Sequence, residues 1–229
     1  IIVERLEREF KVKANIGKPR VSYRQTIMEA CEGEGIFDHK LGDRSQYAEV
    51  RVNVGPGAGT GSCEIVNRLS KDDVPLEFHS AVVESLAAAV ESGGTLGLPL
   101  MRIQVTVTGG GTRQGEASAV AFATAANAAF DNALNSSQSF VLEPTMRFEI
   151  QVPEEYYGAV STDLNQRRTD IREVDLEGGL RILRGLVPLA ETFGYTSRLR
   201  SLTQGRGTIS LQPESYSAVP KEVAERFQL

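Results

Sequence analysis

The sequence predicts an α+β fold of two successive sandwich-type domains, and three observations carry that expectation. Runs alternating apolar and polar residues, as half-buried strands do, are interleaved with runs spaced as amphipathic helices. From residue 139 onward the elements follow the order β-α-β-β-α-β, the split βαβ or ferredoxin-like arrangement. A polar joint, Ser136-Ser137-Gln138-Ser139, separates that region from the α/β pattern before it.

In chain order, Ile2, Leu6 and Phe10 are spaced by four and read as the end of a helix. Lys11 to Ile16 then alternates as a strand. A lone helix and strand bury little, so residues 1–16 read as the tail of a preceding domain, and Gly17-Lys18-Pro19 marks the boundary. Val21 to Ile27 alternates again. Tyr47 to Val54 is a strand with Val50, Val52 and Val54 on one face. The glycine-rich turn Gly55 to Gly61 suggests Cys63 to Arg68 as its hairpin partner. A helix follows Pro75, with Val82, Leu86 and Val90 as its stripe, and stops at Gly93-Gly94. Leu100 to Thr108 is a strand with Met101, Ile103, Val105 and Val107 on one side. Ser118 to Asn135 is a helix so rich in alanine that another element can approach it closely.

The second domain reads Met146–Val152 strand, Tyr156–Arg167 helix with Val160 and Leu164 inward, then strands Asp170–Leu176 and Leu180–Val187. Gly178-Gly179 joins the last two as a hairpin turn. Tyr195–Leu202 is a helix, Gly207–Leu211 a last strand, and Val219-Pro220-Lys221 opens a terminal helix.

Composition bounds the function. With 229 residues, 41% apolar and 24% charged, the chain reads as globular rather than disordered. No apolar run approaches the roughly 18 residues of a membrane span. Two cysteines, Cys31 and Cys63, and two histidines, His39 and His79, point to reduced thiols and away from a zinc site. A net charge of −5 argues against a general nucleic-acid coat, so any RNA contact must come from local basic clusters.

The pattern G-x-x-x-x-G-K-[ST] is absent. Gly109-Gly110-Gly111-Thr112 has the strand-to-helix context of a phosphate cradle but no following lysine, and reads as a flexible loop tip. Asp72-Asp73, Glu154-Glu155 and Glu32/Glu34 read as solvated faces or helix starts, because no nucleophile accompanies them. His79 falls at a helix start and His39 before a loop. Three segments remain: Gly42-Asp43-Arg44-Ser45-Gln46, Gly111-Thr112-Arg113-Gln114-Gly115, and Thr203 to Thr208 with Arg198 and Arg200. Guanidinium and amide groups on such tips suit phosphates, sugar hydroxyls and splayed bases. Ordinary solvated turns have the same composition.

The long motifs carry a resemblance. Gly17 to Ile27 resembles the strand opening the fourth domain of elongation factor G, and Leu142-Glu143-Pro144-Thr145-Met146 the passage into the fifth. Val187 to Tyr195, Leu199-Arg200 and Leu202 to Thr208 resemble that family's most recognisable stretch, and Val219-Pro220-Lys221 its terminal helix. The similarity to the C-terminal part of elongation factor G, or a close paralogue, covers the chain in order. It implies the tail of a third domain at 1–16, a ribosomal-protein-like βαβ domain at 17–138, and a ferredoxin-like domain with a C-terminal helix at 139–229.

The resemblance further implies the ribosome-binding portion of a GTP-driven factor that promotes movement of transfer RNA and messenger RNA. It implies a cytoplasmic monomer meeting the small-subunit decoding site and the GTPase-associated RNA of the large subunit. GTP and magnesium are expected in N-terminal domains, with no catalytic site, cofactor or metal in this part. The implied tip residues are Gly42, Asp43, Arg44, Ser45, Gln46 and Tyr47, and Gly111, Thr112, Arg113 and Gln114. Arg198, Arg200, Gln204 and Arg206 are the implied contacts of the second domain. Arg44, Gln46 and Tyr47 match the family's first tip, whereas Asp43, Ser45 and Ala48 replace small or glycine positions. Arg113 stands where the family usually carries a histidine, which implies a more salt-sensitive phosphate contact with less dependence on pH. The departures keep open a ribosome-recycling paralogue or a ribosome-protection factor. A stand-alone protein-interaction module is the alternative from another class, and an enzyme using the carboxylates the weakest.

Overall fold

The computed structural model describes residues 20–41, 44–59, 61 and 63–227. The helix expected at 1–10, the strand at 11–16 and the boundary Gly17-Lys18-Pro19 lie outside the described residues. Two compact units are present, a larger one holding residues 23–148 with 211–227 and a smaller one holding 20–22 with 149–210. The architecture is the mixed α+β, two-sheet one that the periodicities predict.

In the larger unit, β1 (Arg24–Ile27) starts three residues later than the alternation suggests. Then come β2 (Cys31–Leu41), β3 (Arg44–Pro56), β4 (Glu64–Asn67), α1 (His79–Ser92), β5 (Ile103–Gly111), α2 (Ala119–Ser136) and β6 (Ser139–Pro153). A four-stranded sheet has the order β2-β3-β5-β4. The hairpin expected between β3 and β4 is not formed. β3 pairs antiparallel with β2 from Cys31↔Val54 to Leu41↔Arg44, and β4 pairs parallel with β5. β5 occupies the position beside β3, and a parallel partner needs a crossover rather than a tight turn.

The core follows from the alternation. Val50, Val52, Val54, Ile103, Val105 and Val107 are fully buried in one cluster with Val82 and Leu86 of α1 and Phe122 and Phe130 of α2. Met101 lies before β5 rather than on it. Ser118 caps α2 by accepting from the Ala121 amide. Alanines 125, 129 and 133 of α2 are buried, and β2 meets them through glycine. A Cβ on Gly33 would lie 2.7 Å from the Ala133 amide nitrogen and 2.8 Å from its Cβ, and closer still to the Ala129 carbonyl oxygen. Strand and helix backbones therefore touch directly.

Gln25 is fully buried and fastens distant segments together. Its amide nitrogen donates to Thr95 Oγ1 at 3.1 Å and Ser139 Oγ at 2.7 Å, and its oxygen accepts from the Leu96 amide at 3.1 Å. Its own N–H donates to the Pro99 carbonyl. All its side-chain polar capacity is matched except one lone pair, as burial demands.

The chain continues from β6 through α3 (Tyr157–Asn165), β7 (Asp170–Glu177), β8 (Leu180–Pro188), α4 (Leu189–Thr192) and α5 (Tyr195–Leu202) of the smaller unit to β9 (Thr208–Ala218), whose residues from 211 on belong to the larger. β8 lies between β6 and β7, and β9 pairs with β6. Val160, Leu164, Leu183, Tyr195 and Leu199 are buried here. Gly178 and Gly179 have φ of 57° and 82°, the left-handed pair a two-residue hairpin turn requires. β6 starts earlier than Met146 and β9 runs past Leu211 to Ala218. The terminal helix α6 (Lys221–Ala224) is one turn, followed by a 3₁₀ turn at Glu225–Phe227. Among the described residues no helix is long and apolar enough to cross a membrane.

Candidate functional site

The two tips named from the sequence meet at one end of the four-stranded sheet. Leu41 pairs with Arg44, so only Gly42 and Asp43, which lie outside the described residues, fall between β2 and β3. Arg44, Ser45, Gln46 and Tyr47 stand in β3, not in the flexible loop expected of them. The ladder with β2 takes up their backbone groups.

The second tip is corrected as well. Gly109, Gly110 and Gly111 belong to β5. A Cβ on Gly110 would sit 2.5 Å from the Glu49 carbonyl oxygen, and one on Gly109 would sit 3.3 Å from the Arg51 guanidinium. The register shifts at Arg51/Val52, so the glycine run marks a bulge and a close approach rather than a mobile loop. The loop itself is Thr112 to Ser118. Thr112 Oγ1 donates to the Tyr47 carbonyl at 2.7 Å, and the Tyr47 amide donates to the Glu116 carbonyl at 3.0 Å. Ser118 Oγ donates to Gln46 Oε1 at 2.9 Å while capping α2. The loop is thus tied to β3 at both ends. Gln114 sits in its turn beside Gly115, whose φ is 79°.

Arg113 is held from three sides. Its Cζ lies 3.9 Å over the Tyr47 ring. One terminal nitrogen is 3.0 Å from Asp38 Oδ2 and the other 3.7 Å from Glu116 Oε2. The second distance is an ion-pair contact too long for a hydrogen bond, and Glu116 Oε2 is buried without one. Asp38 pairs with Tyr47 across β2 and β3, which puts both side chains on one sheet face. Sequence reading missed Asp38 and Glu116. Recognising β2 as a strand and noting the three-residue spacing of Arg113 and Glu116 would have found them. His39 rests on Phe37, with ring centroids 5.0 Å apart, and His79 Nε2 donates to the Val74 carbonyl at 2.9 Å.

The third group lies in the smaller unit. Arg198 Nε donates to Asp163 Oδ1 at 2.9 Å, and Arg167 Nε donates to Oδ2 of the same carboxylate at 2.8 Å. Burial pushes Asp163 up, but the bonds from Arg167 and Arg198 outweigh it and hold its carboxyl below the usual range. Arg167 also lies 4.8 Å over the Tyr195 ring. Burial, with Asp163 adding to it, pushes the Tyr195 hydroxyl up to about 12, and that hydroxyl is buried with no hydrogen-bond partner. Arg206 pairs with Glu155 over the Tyr156 ring, as Arg181 pairs with Glu154 over Tyr157. The adjacent carboxylates Glu154 and Glu155 are therefore engaged by arginines. Arg200 and Gln204 are exposed, and Gln204 takes a left-handed φ of 51°. Thr203, fully buried, bonds to Leu199 and Gly207 and fixes the turn between them.

The chain is thus built of α+β units, one with the β-α-β-β-α-β order and one with the Arg113 tip at a sheet end. Residues 19–138 match the family described as "Elongation factor G, domain IV" and residues 140–227 the one described as "Elongation factor G C-terminus". The chain belongs to the elongation factor G family, and so carries part of a translation elongation factor, a component of protein biosynthesis. It is also similar to the crystal structure of a protein from Thermus thermophilus, with 31% identity and a TM-score of 0.83. That similarity covers 98% of this chain and 34% of the Thermus chain, so the present chain spans about a third of its relative.

Proposed function

We propose that this chain is the ribosome-binding C-terminal portion of a GTP-driven elongation factor that promotes movement of transfer RNA and messenger RNA. Its two domains, 17–138 and 139–229, act without chemistry of their own. The larger unit serves as a stiff arm whose tip enters the decoding site of the small subunit. The smaller presents Arg200 and Gln204 to large-subunit RNA, with Arg198 and Arg206 beside them. GTP and magnesium belong to N-terminal domains, and the whole factor works as a cytoplasmic monomer.

The observation that carries this reading is the tip. The loop Thr112 to Ser118 is tied to strand β3 through Tyr47 and Gln46, over a sheet whose outer strand lies directly against α2. An arm that must hold its end at fixed reach needs this kind of support. Single-round translocation by the full-length factor tests it. Arg113→Ala is expected to slow translocation about tenfold, the effect of losing one contact worth about 1.4 kcal/mol. Unchanged translocation would sink the tip assignment. The departures at the tip make a ribosome-recycling paralogue or a ribosome-protection factor the second reading. Loss of post-termination splitting with translocation intact would select recycling.

A further inference from the structure

We infer that Arg113, Tyr47 and Asp38 form a shelf for one unpaired nucleobase rather than a phosphate site. The inference rests on the RNA-contact reading above and names the ligand at that tip.

A phosphate would have to reach the guanidinium edges, and carboxylates stand there already. Asp38 is 3.0 Å from one terminal nitrogen and Glu116 is 3.7 Å from the other. One guanidinium faces two carboxylates, so both of its terminal nitrogens are already engaged. The neighbouring pair Arg51 and Glu49, 3.4 Å apart, offsets itself, and Lys40 stands two residues along β2. An incoming phosphodiester, a monoanion, would meet a carboxylate at both edges.

A base meets the opposite situation. The Arg113 side chain is 53% exposed, Tyr47 lies 3.9 Å to one side of it and the acids stand at its terminal nitrogens, which leaves the opposite face as the side for a base to approach. Planar guanidinium faces accept stacked bases, and a base laid there extends the Tyr47–Arg113 pile by one layer. Asp38 gives Oδ2 to Arg113, and its side chain is 50% exposed, which leaves an acceptor at the rim of the shelf. A carboxylate there favours bases that present an exocyclic amino group, such as cytosine.

The 229-residue chain can be titrated by NMR, following the Tyr47 ring and Arg113 Nε–H signals. The probes are single-stranded tetramers of cytidine, of uridine, and of abasic ribose-phosphate. The cytidine tetramer is expected to bind the tip at least several-fold more tightly than the uridine one, and the abasic tetramer not to perturb it. Arg113→Lys keeps the charge and loses the plane, so it is expected to weaken cytidine binding as much as Arg113→Ala, about tenfold. Amide signals away from the tip report that each variant is folded.

Wild-type affinity in the lysine variant, or abasic and cytidine tetramers binding alike, would overturn the inference. So would a log–log salt slope that drops by about 0.7 in the alanine variant, the mark of one lost phosphate contact. In those outcomes RNA still binds and the wider reading stands. RNA binding nowhere on the chain would remove both.

Discussion

Gly33→Ala puts a methyl group where β2 lies against α2. The new Cβ would fall 2.7 Å from the Ala133 nitrogen, about 0.7 Å short of the 3.4 Å at which ordinary contact begins. The obstructing atoms are backbone and the Ala133 Cβ, with the Ala129 carbonyl closest, so no flexible side chain can swing aside. β2 must instead lift from the helix, opening the row beside Ala125 and Ala129 while Gly35 next to it is pulled along. Overpacking costs roughly 1–3 kcal/mol where side chains can adjust. With a backbone obstacle, about 3 kcal/mol or more is expected. Urea unfolding should show a lower midpoint at unchanged slope. Gly158→Ala is the control: no atom lies within 4 Å of its Cβ, and it stands in α3, where alanine gains roughly 0.5–1 kcal/mol over glycine. A loss below about 1 kcal/mol at Gly33 would refute the contact, as would an equal loss at Gly158.

Tyr195→Phe removes a buried hydroxyl that has no partner, so stability should rise by up to about 1 kcal/mol in denaturant titration. Because the Tyr195 hydroxyl is raised from 10.0 to about 12, the folded chain keeps a proton that the unfolded chain releases. Its contribution to stability is whole below pH 10 and lost as pH rises toward 12, and the phenylalanine variant should lack that fall. Asp163→Asn leaves Arg167 and Arg198 without their shared anion and should cost about 2 kcal/mol at pH 7. The depressed Asp163 carboxyl contributes stability that is present above 3.8 and lost as pH falls through its lower folded value, so the difference between wild type and variant should shrink there.

Much of this fold is legible because burial repeats at the period of each element. Val82 and Leu86, the alanines of α2, and Val50-Val52-Val54 announced their faces, and Gly178-Gly179 announced its turn. β2 was illegible for a physical reason. Its helix-facing positions include Gly33 and Gly35, since α2 comes too near for a valine, so the expected alternation is written in residues without side chains. The same cause hid the end of β5, where Gly110 packs against Glu49 and Val74. β9 runs past the expected end at Leu211 through Pro213, and among the described residues its partner is β6, so a missing donor on its other side is tolerated. At the tip, the sequence named Arg113 and Tyr47 as candidates but not Asp38 and Glu116, which the structure sets beside Arg113. Asp38 depends on register, which could not be assigned while β2 was unseen, whereas Glu116 was legible in its three-residue spacing from Arg113.

The knot around Gln25 has a consequence for biosynthesis. Its donor bond to Ser139 joins residues 114 apart in the chain, and its bond to Thr95 joins residues 70 apart. At about 5–20 residues per second, residue 25 emerges from a synthesising ribosome several seconds before Ser139 is made. Through that interval the strand bearing Gln25 has neither its β6 neighbour nor its final hydrogen bond. The unit therefore closes late in its own translation, and a pause inserted between residues 95 and 139 should lengthen the time for which a nascent chain is open to protease.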